Sequence, residues 1–308
     1  MNKVYDIIII GAGPAGMTAA VYATRASKDI LLLDKFTPGG RVKSTYQVDN
    51  YLGFGKVNAH ELVGKMVDHL HELNIQETYG LVQDVCKNEE GFFVVKTDED
   101  SYLSKTVIVA TGTGPKPLEI ENEQKFLARG VSYCAVCDAM FFENEDVVMI
   151  GGGDAALEEG YYLSTKCKHV TIIHEFDAFS ASKQIVQKLL AQDNVTCKYL
   201  SNTIRFDGID ELESVTIVNK ATQKEEIIPC AGAFIYIGNQ ADTSFLSGLL
   251  HNTKEDFVEV TPEMRTKIEG LYACGDVTKK DYRFIVTAIS DGAIAAMTAI
   301  KYIDEEMK

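Results

Sequence analysis

Residues 4–34 read VYDIIIIGAGPAGMTAAVYATRASKDILLLD, and this stretch decides the fold. Val4 to Ile10 is a short apolar run of the kind a parallel strand buried on both faces requires. Gly11-Ala12-Gly13-Pro14-Ala15-Gly16 follows at once, a helical stretch runs from Met17 to Arg25, and a second apolar run, Ile30 to Leu33, ends on Asp34. The acid lies 23 positions after the first glycine. Strand, glycine turn, helix, strand and terminal acid together form a βαβ dinucleotide fingerprint. In such a motif Gly11 permits the tight turn, Gly13 lets the backbone approach a pyrophosphate, and Gly16 allows close helix packing. The helix N-terminus offers its positive dipole end to the phosphates, and Asp34 can accept from a ribose hydroxyl.

The same pattern returns in Val147 to Ile150, Gly151-Gly152-Gly153-Asp154-Ala155-Ala156, a helical stretch to about Leu163, and a strand from His169 to Ile173. Two nucleotide-type folds in one chain predict an α/β architecture of two Rossmann-like domains, the second inserted in the first. Thr113-Gly114-Pro115-Lys116-Pro117 disfavours regular structure and marks one crossing. The return falls near Gly238 to Thr243, after an apolar strand over Ala233 to Ile237. The expected domains are therefore 1–114 with 243–308, closed by a helix from about Thr287 to Tyr302, and 115–242. The helical stripe over Ala59 to Leu73 reads as a core or subunit-facing helix.

Composition narrows the function classes. Of 308 residues, 46% are hydrophobic and 24% charged, which suits a globular protein with two cores. Thirty basic against forty-five acidic residues give a net charge of -15, which opposes nucleic acid and anionic membrane surfaces. The sequence predicts neither a membrane-length apolar run nor a signal peptide, and so a cytoplasmic protein. In that compartment a disulfide is more often catalytic than structural.

Cys134-Ala135-Val136-Cys137 has the two-residue gap that lets two thiols close a small ring and lowers the pKa of one. Three readings remain open from the residues alone: a redox pair, half of a zinc site, or two passive buried thiols. The remaining cysteines, Cys86, Cys167, Cys197, Cys230 and Cys274, offer no second C-x-x-C, so no metal site is expected.

Several stretches resemble, in order and spacing, the low-molecular-weight thioredoxin reductase family over essentially the whole chain. They are Gly11 to Gly16, Pro38-Gly39-Gly40, Val48-Asp49-Asn50-Tyr51, Ala110-Thr111-Gly112, Cys134 to Asp138, Gly151 to Ala156, and Gly275-Asp276. The resemblance implies FAD in the first domain, with Gly40, Asn50, Thr111, Gly112, Gly275 and Asp276 joining the fingerprint residues and Asp34 along the cofactor. It implies a redox disulfide of Cys134 and Cys137, with Cys137 nearer the flavin and Cys134 attacking the protein substrate. By the same resemblance Asp138 is expected to serve as acid/base for the emerging thiolate. It further implies thioredoxin as partner, docking at Arg129, Phe141 and Phe142, and usually a homodimer.

Two departures qualify that picture. Family members that use NADPH carry His-Arg-Arg and another Arg four residues on, a cluster that pairs with the 2′-phosphate. Here the stretch is His174-Glu175-Phe176-Asp177-Ala178-Phe179-Ser180, which argues against NADPH. Either Glu175 acts as the strand-end acid of an NADH site, or electrons reach FAD from a protein. The sequence resembles in this the ferredoxin-dependent flavin thioredoxin reductases, and ferredoxin is the donor expected here. The flavin contact usually read Arg-Gln-Ala is Arg283-Phe284-Ile285, either a packing change or an altered flavin environment. Lys279, Lys280 and Arg283 form a basic cluster that is either a solvated loop or a dock for acidic ferredoxin. Competing classes are a ferredoxin or flavodoxin to NADP oxidoreductase, which needs no Cys134–Cys137 pair, and a non-catalytic redox sensor.

Overall fold

A computed structural model describes residues 3–45, 47–250 and 257–307. The chain divides into two compact units, Met1–Gly114 with Gln240–Lys308, and Pro115–Asn239. The return crossing thus lies three residues before the expected 242/243 boundary, and residues 251–256 of the expected first domain lie outside the described residues.

Following the chain, the first unit opens with β1 (Val4–Ile10), α1 (Pro14–Arg25), β2 (Ile30–Asp34), α2 (Ala59–Glu72), β3 (Glu77–Tyr79), β4 (Val82–Lys87), β5 (Phe93–Thr97) and β6 (Ser101–Val109). In the second unit come β7 (Val131–Ser132), β8 (Asp146–Ile150), α3 (Asp154–Ser164), β9 (His169–Ile173), α4 (Lys183–Leu190), β10 (Val195–Lys198), β11 (Ser201–Asp207), β12 (Ser214–Asn219), β13 (Glu225–Pro229) and β14 (Gly232–Ile235). The chain then returns to the first unit with β15 (Leu271–Ala273) and α5 (Ile285–Glu305).

In the first unit β1 lies between β2 and β6, parallel to both, with Ile10 opposite Leu33 and Val109. Successive strand side chains point to opposite faces. Ile7 and Ile9 accordingly pack with Ala19, Ala23, Ala295 and Ala299 of α1 and α5, while Ile8 and Ile10 pack with Val85, Phe93 and Leu246 on the other side. Burial on both faces explains why β1 reads as an unbroken apolar run. The second unit repeats this with a five-stranded parallel sheet in the order β7-β14-β8-β9-β10, and β11 to β13 add an antiparallel meander.

Two expectations are adjusted. The closing helix runs two residues earlier and three later than the sequence suggests, and it is long and apolar enough by composition to cross a membrane. Its alanine-rich side, Ala288, Gly292, Ala295, Ala296 and Ala299, is instead buried in the unit, and Asp291, Lys301 and Asp304 interrupt the rest. That is the pattern of a core helix in which small residues let α5 approach α1. A Cβ on Gly292 would overlap the carbonyl oxygen of Ala15. Gly292→Ala is therefore expected to lower the unfolding free energy by about 1–3 kcal/mol through overpacking, despite a helix-propensity gain of about 1 kcal/mol. Denaturant unfolding checks this, and an unchanged or raised midpoint would contradict the packing account.

Candidate functional site

Three local structures carry the chemistry: a cradle in the first unit, and a second cradle and a redox turn in the second. Each is built within its own unit.

In the first cradle, Gly11 has φ 107°, and a side chain there would overlap the Ala110 carbonyl oxygen. A Cβ on Gly16 would overlap the carbonyl oxygen of Gly11. Gly13, the residue before Pro14 at the start of α1, faces open space, and Gly40 closes in on its Cα. A methyl group at Gly40 would lie 3.2 Å from that Cα. The turn thus presents bare backbone and the N-terminus of a 12-residue helix, which suits a pyrophosphate. Asp34 accepts from the Ala12 N–H at 2.5 Å and, through its other oxygen, from the Phe36 N–H at 2.8 Å. Its carboxylate therefore clamps the glycine turn, and a ribose hydroxyl would use its remaining lone pairs.

The far end of the cradle comes from the returning chain. Gly275, at φ 77°, packs so close to Ala15 that a side chain would meet its Cβ at 2.8 Å. Asp276 follows with Oδ1 buried and lacking a hydrogen-bond partner among the described residues. Such an orphaned buried oxygen costs free energy unless something donates to it. A ribityl or flavin N–H or O–H would do so, and the residues present fit FAD. Burial pushes the Asp276 carboxyl upward, opposed by Lys280, Arg41 and Arg283. Arg283 donates to the carbonyls of Asp276 and Thr278 at 3.3 and 3.4 Å and lies over the Phe257 ring. Lys280 is tied to Asp291 at 2.5 Å and Lys279 to Glu259 at 3.0 Å, so these residues pair with acids of their own unit rather than forming a free basic patch. Thr111 and Asn50 stand exposed, and Gly112 turns at φ 68°. Phe284 caps α5, half exposed and stacked on Tyr282, while Ile285 packs against the cluster of Val42, Val48 and Leu62. Ile285, where the family reads Ala, is thus packed within its unit, while Phe284, where the family reads Gln, is half exposed.

The second cradle has the same backbone logic. Gly151 donates to the Ile173 carbonyl at 2.9 Å just as Gly11 donates to that of Leu33 at 2.7 Å. In this register His174, 23 positions after Gly151, is the counterpart of Asp34. That corrects the reading of Glu175 as the strand-end acid. The position is filled by a buried imidazole packed so closely on Gly152 that a Cβ there would overlap the ring. Glu175, one residue on, is exposed and pairs with Lys220 at 3.6 Å. The Lys220 ammonium also lies over Phe176, 5.2 Å from the ring centre. Ser180 donates from its N–H to the Gly152 carbonyl at 2.9 Å. Gly153 leaves its approach open.

The redox turn is a single helical turn, Ala135–Asp138, with Cys134 as its N-cap. Cys134 and Cys137 are joined by a disulfide, the form that the redox-pair reading requires. Cys134 is half-buried and Cys137 exposed. The Cys137 N–H points at Cys134 Sγ at 3.3 Å, ready to favour a thiolate there. Ser132, missed in the sequence, organises this turn. Its hydroxyl donates to Asp138 Oδ2 at 2.6 Å and accepts from the Cys134 N–H at 3.0 Å. The Ala135 N–H donates to the Tyr236 hydroxyl at 2.9 Å. Among the other cysteines, burial raises the thiol of Cys167 to about 11 and that of Cys230 to about 12, and it pushes Cys274 up as well. These are inert at neutral pH.

Of the three expected docking residues, Arg129 and Phe141 are exposed, and Phe141 is joined by Met140, each 74% accessible. Phe142 differs from the other two. Its ring stands edge-on to Phe234, centroids 5.5 Å apart, and fills the space a side chain at Gly232 would need. It is partly buried, packed against the core beneath the turn.

A family model described as "Pyridine nucleotide-disulphide oxidoreductase" matches residues 5–292, spanning both cradles and the redox turn. The chain belongs to that family. Its members resembling it include the thioredoxin reductase of Bacillus subtilis, 39% identical over 99% of this chain and 96% of that protein. The structure of Lactococcus lactis thioredoxin reductase in its FR conformation matches with TM-score 0.94 at 38% identity, covering 98% of this chain and 99% of the other. A ferredoxin-flavin thioredoxin reductase of Clostridium acetobutylicum matches at TM-score 0.56 and 26% identity, covering 99% and 100%. This chain is accordingly a flavin-dependent disulfide oxidoreductase of the thioredoxin reductase type. The ranking runs against the ferredoxin-linked subgroup expected from the missing arginines. A pyridine-nucleotide family match running through the second cradle likewise opposes the exclusion of NADPH.

Asp276→Asn tests the first cradle. A carboxyl whose folded pKa is raised above 3.8 costs stability once the pH exceeds that value, and nothing below it, where both states are protonated. The variant is expected to melt higher than the parent in flavin-free protein at pH 7, with the gain shrinking as pH falls toward 3.8, yet to retain FAD less well. Equal FAD retention would contradict the assignment.

Proposed function

We propose that this protein is a thioredoxin reductase in which a reduced nicotinamide dinucleotide is the donor, FAD lies along the cradle of the first unit, and Cys134–Cys137 delivers electrons to thioredoxin. The observation that carries it is a C-x-x-C disulfide at the N-terminus of a helical turn, in a unit that also holds a complete nucleotide-type glycine loop. Bound flavin would accept a hydride and pass electrons on two at a time. The chain's own residues would do the rest. Backbone at Gly13 and Gly40 would receive the pyrophosphate, and Asp34 and Asp276 would accept from hydroxyl or N–H groups. Thr111, Gly112 and Asn50 would line the cofactor.

In the thiol step, Cys134 as thiolate attacks the thioredoxin disulfide, whose S–S bond breaks as a mixed disulfide forms. Cys137 then displaces the second thioredoxin thiol and regenerates the Cys134–Cys137 bond. Asp138, oriented by Ser132, would move the proton at Cys134 or Cys137. Arg129, Met140 and Phe141 would anchor the partner as exposed apolar and cationic contacts. A homodimer is part of the same proposal, and a monomeric mass by sedimentation would remove it.

Anaerobic mixing with NADH, NADPH and reduced ferredoxin in turn, followed by flavin absorbance, tests the donor. Rapid bleaching by a nicotinamide nucleotide is expected, and bleaching by ferredoxin alone would overturn that part. Cys134→Ser should keep flavin reduction and lose thioredoxin reduction by about a thousandfold or more. Glu175→Arg, which exchanges like for opposite charge beside a 2′-phosphate, should tighten NADPH about tenfold. An unchanged KM for NADPH would show that the loop after β9 does not touch that phosphate.

A further inference from the structure

Tyr236 follows β14, and nothing in the sequence marks it. Its backbone is fixed by the second cradle. The Tyr236 N–H donates to the Ile150 carbonyl at 2.8 Å, and its own carbonyl sits where a side chain on Gly151 would otherwise be. Its ring packs half-buried against the cluster of Met149, Ala156 and Phe234. From this rigid seat the hydroxyl accepts the Ala135 N–H at 2.9 Å. Ala135 is fully buried and is the first residue of the redox turn, where no helical carbonyl is in reach of its N–H.

We infer that Tyr236 is a positioning residue that sets the thiol–disulfide equilibrium of Cys134 and Cys137 by holding the turn in its oxidised form. With the S–S bond closed, residues 134 to 137 form a small ring and the Ala135 N–H has one direction to point, toward Tyr236 Oη. Without the hydroxyl a buried donor is stranded in the oxidised state, whereas the reduced turn, no longer closed by the bond, can reorient it. The hydroxyl therefore stabilises the disulfide relative to the dithiol. Ser132 clamps the adjacent Cys134 N–H at 3.0 Å, so the N–H groups on both sides of the Cys134 carbonyl are held by hydroxyls, one from β7 and one from the residue that follows its neighbour β14. The inference rests on the proposed role of this pair as the redox centre, but its test needs no thioredoxin.

Tyr236→Phe keeps the ring and removes the hydroxyl. In buffers of reduced and oxidised dithiothreitol the protein S–S bond breaks and two thiols form, while dithiothreitol gives up two hydrogens and closes its own ring. Free thiols are counted after acid quench. The equilibrium constant should shift about tenfold toward the dithiol in the variant, about 30 mV for this two-electron couple. A shift below twofold, or toward the disulfide, would overturn the inference. Thermal melts with the pair oxidised and then reduced supply the control. A hydroxyl that merely braces the unit would lower both melts equally and leave the equilibrium unmoved, whereas a positioning role lowers the oxidised melt more. Absence of thioredoxin turnover in the parent, with the equilibrium still shifted in the variant, would count against the proposed function and leave this inference standing.

Discussion

Backbone pressed directly against backbone at glycine is the constraint on which this molecule depends. At Gly16 against Gly11, Gly292 against Ala15, and Gly151 against Tyr236, a single methyl group would overlap a carbonyl oxygen. Interiors packed to crystal-like density cannot yield there without moving whole elements. Helix α1 is in consequence wedged between its own turn and α5, and its N-terminus is aimed at the open space beside Gly13 and Gly40. The second unit uses the same device to seat Tyr236, so its nucleotide-type loop and its redox turn share one rigid neighbour.

Polar groups then decide what the rigid frame can do. Around the redox turn, the exposed end of the disulfide is Cys137, and the N–H groups of Cys134, Ala135 and Cys137 all have acceptors. The Asp138 carboxylate is fixed by the same hydroxyl that holds Cys134. In the first cradle the balance is different, since Asp276 keeps a buried oxygen without a partner among the described residues, and burial makes its charge expensive. A satisfied turn is suited to a covalent switch between two states. An unsatisfied oxygen is suited to receiving a ligand.

Much of this was legible in the sequence. Both fingerprints announce themselves because a strand buried on two faces must be apolar throughout and a turn this tight must be glycine, so composition mirrors geometry. The C-x-x-C gap reveals a pair for the same reason. What stayed hidden depends on side chains meeting across the sheet. Ser132 and Tyr236 look ordinary until the parallel pairing of β7 and β14 brings their hydroxyls to one turn. Phe142 reads as an interface residue because an aromatic beside a reactive dithiol fits a docking surface, but the space beside Gly232 that its ring partly fills is not visible in sequence. Glu175 was misplaced by one residue, since a strand's end is not visible in sequence, whereas the Gly151–Ile173 hydrogen bond fixes it. The expectation of a ferredoxin donor rested on a few loop positions, and the likeness of the whole chain to thioredoxin reductases does not support it.

The central claim is that a flavin and the Cys134–Cys137 disulfide form one electron store in one chain. An anaerobic dithionite titration of the purified flavoprotein measures its capacity directly. The account predicts two electrons for the disulfide and two for the flavin in each chain, with the Cys137→Ser variant accepting only the flavin's share. An equal capacity in parent and variant would contradict it.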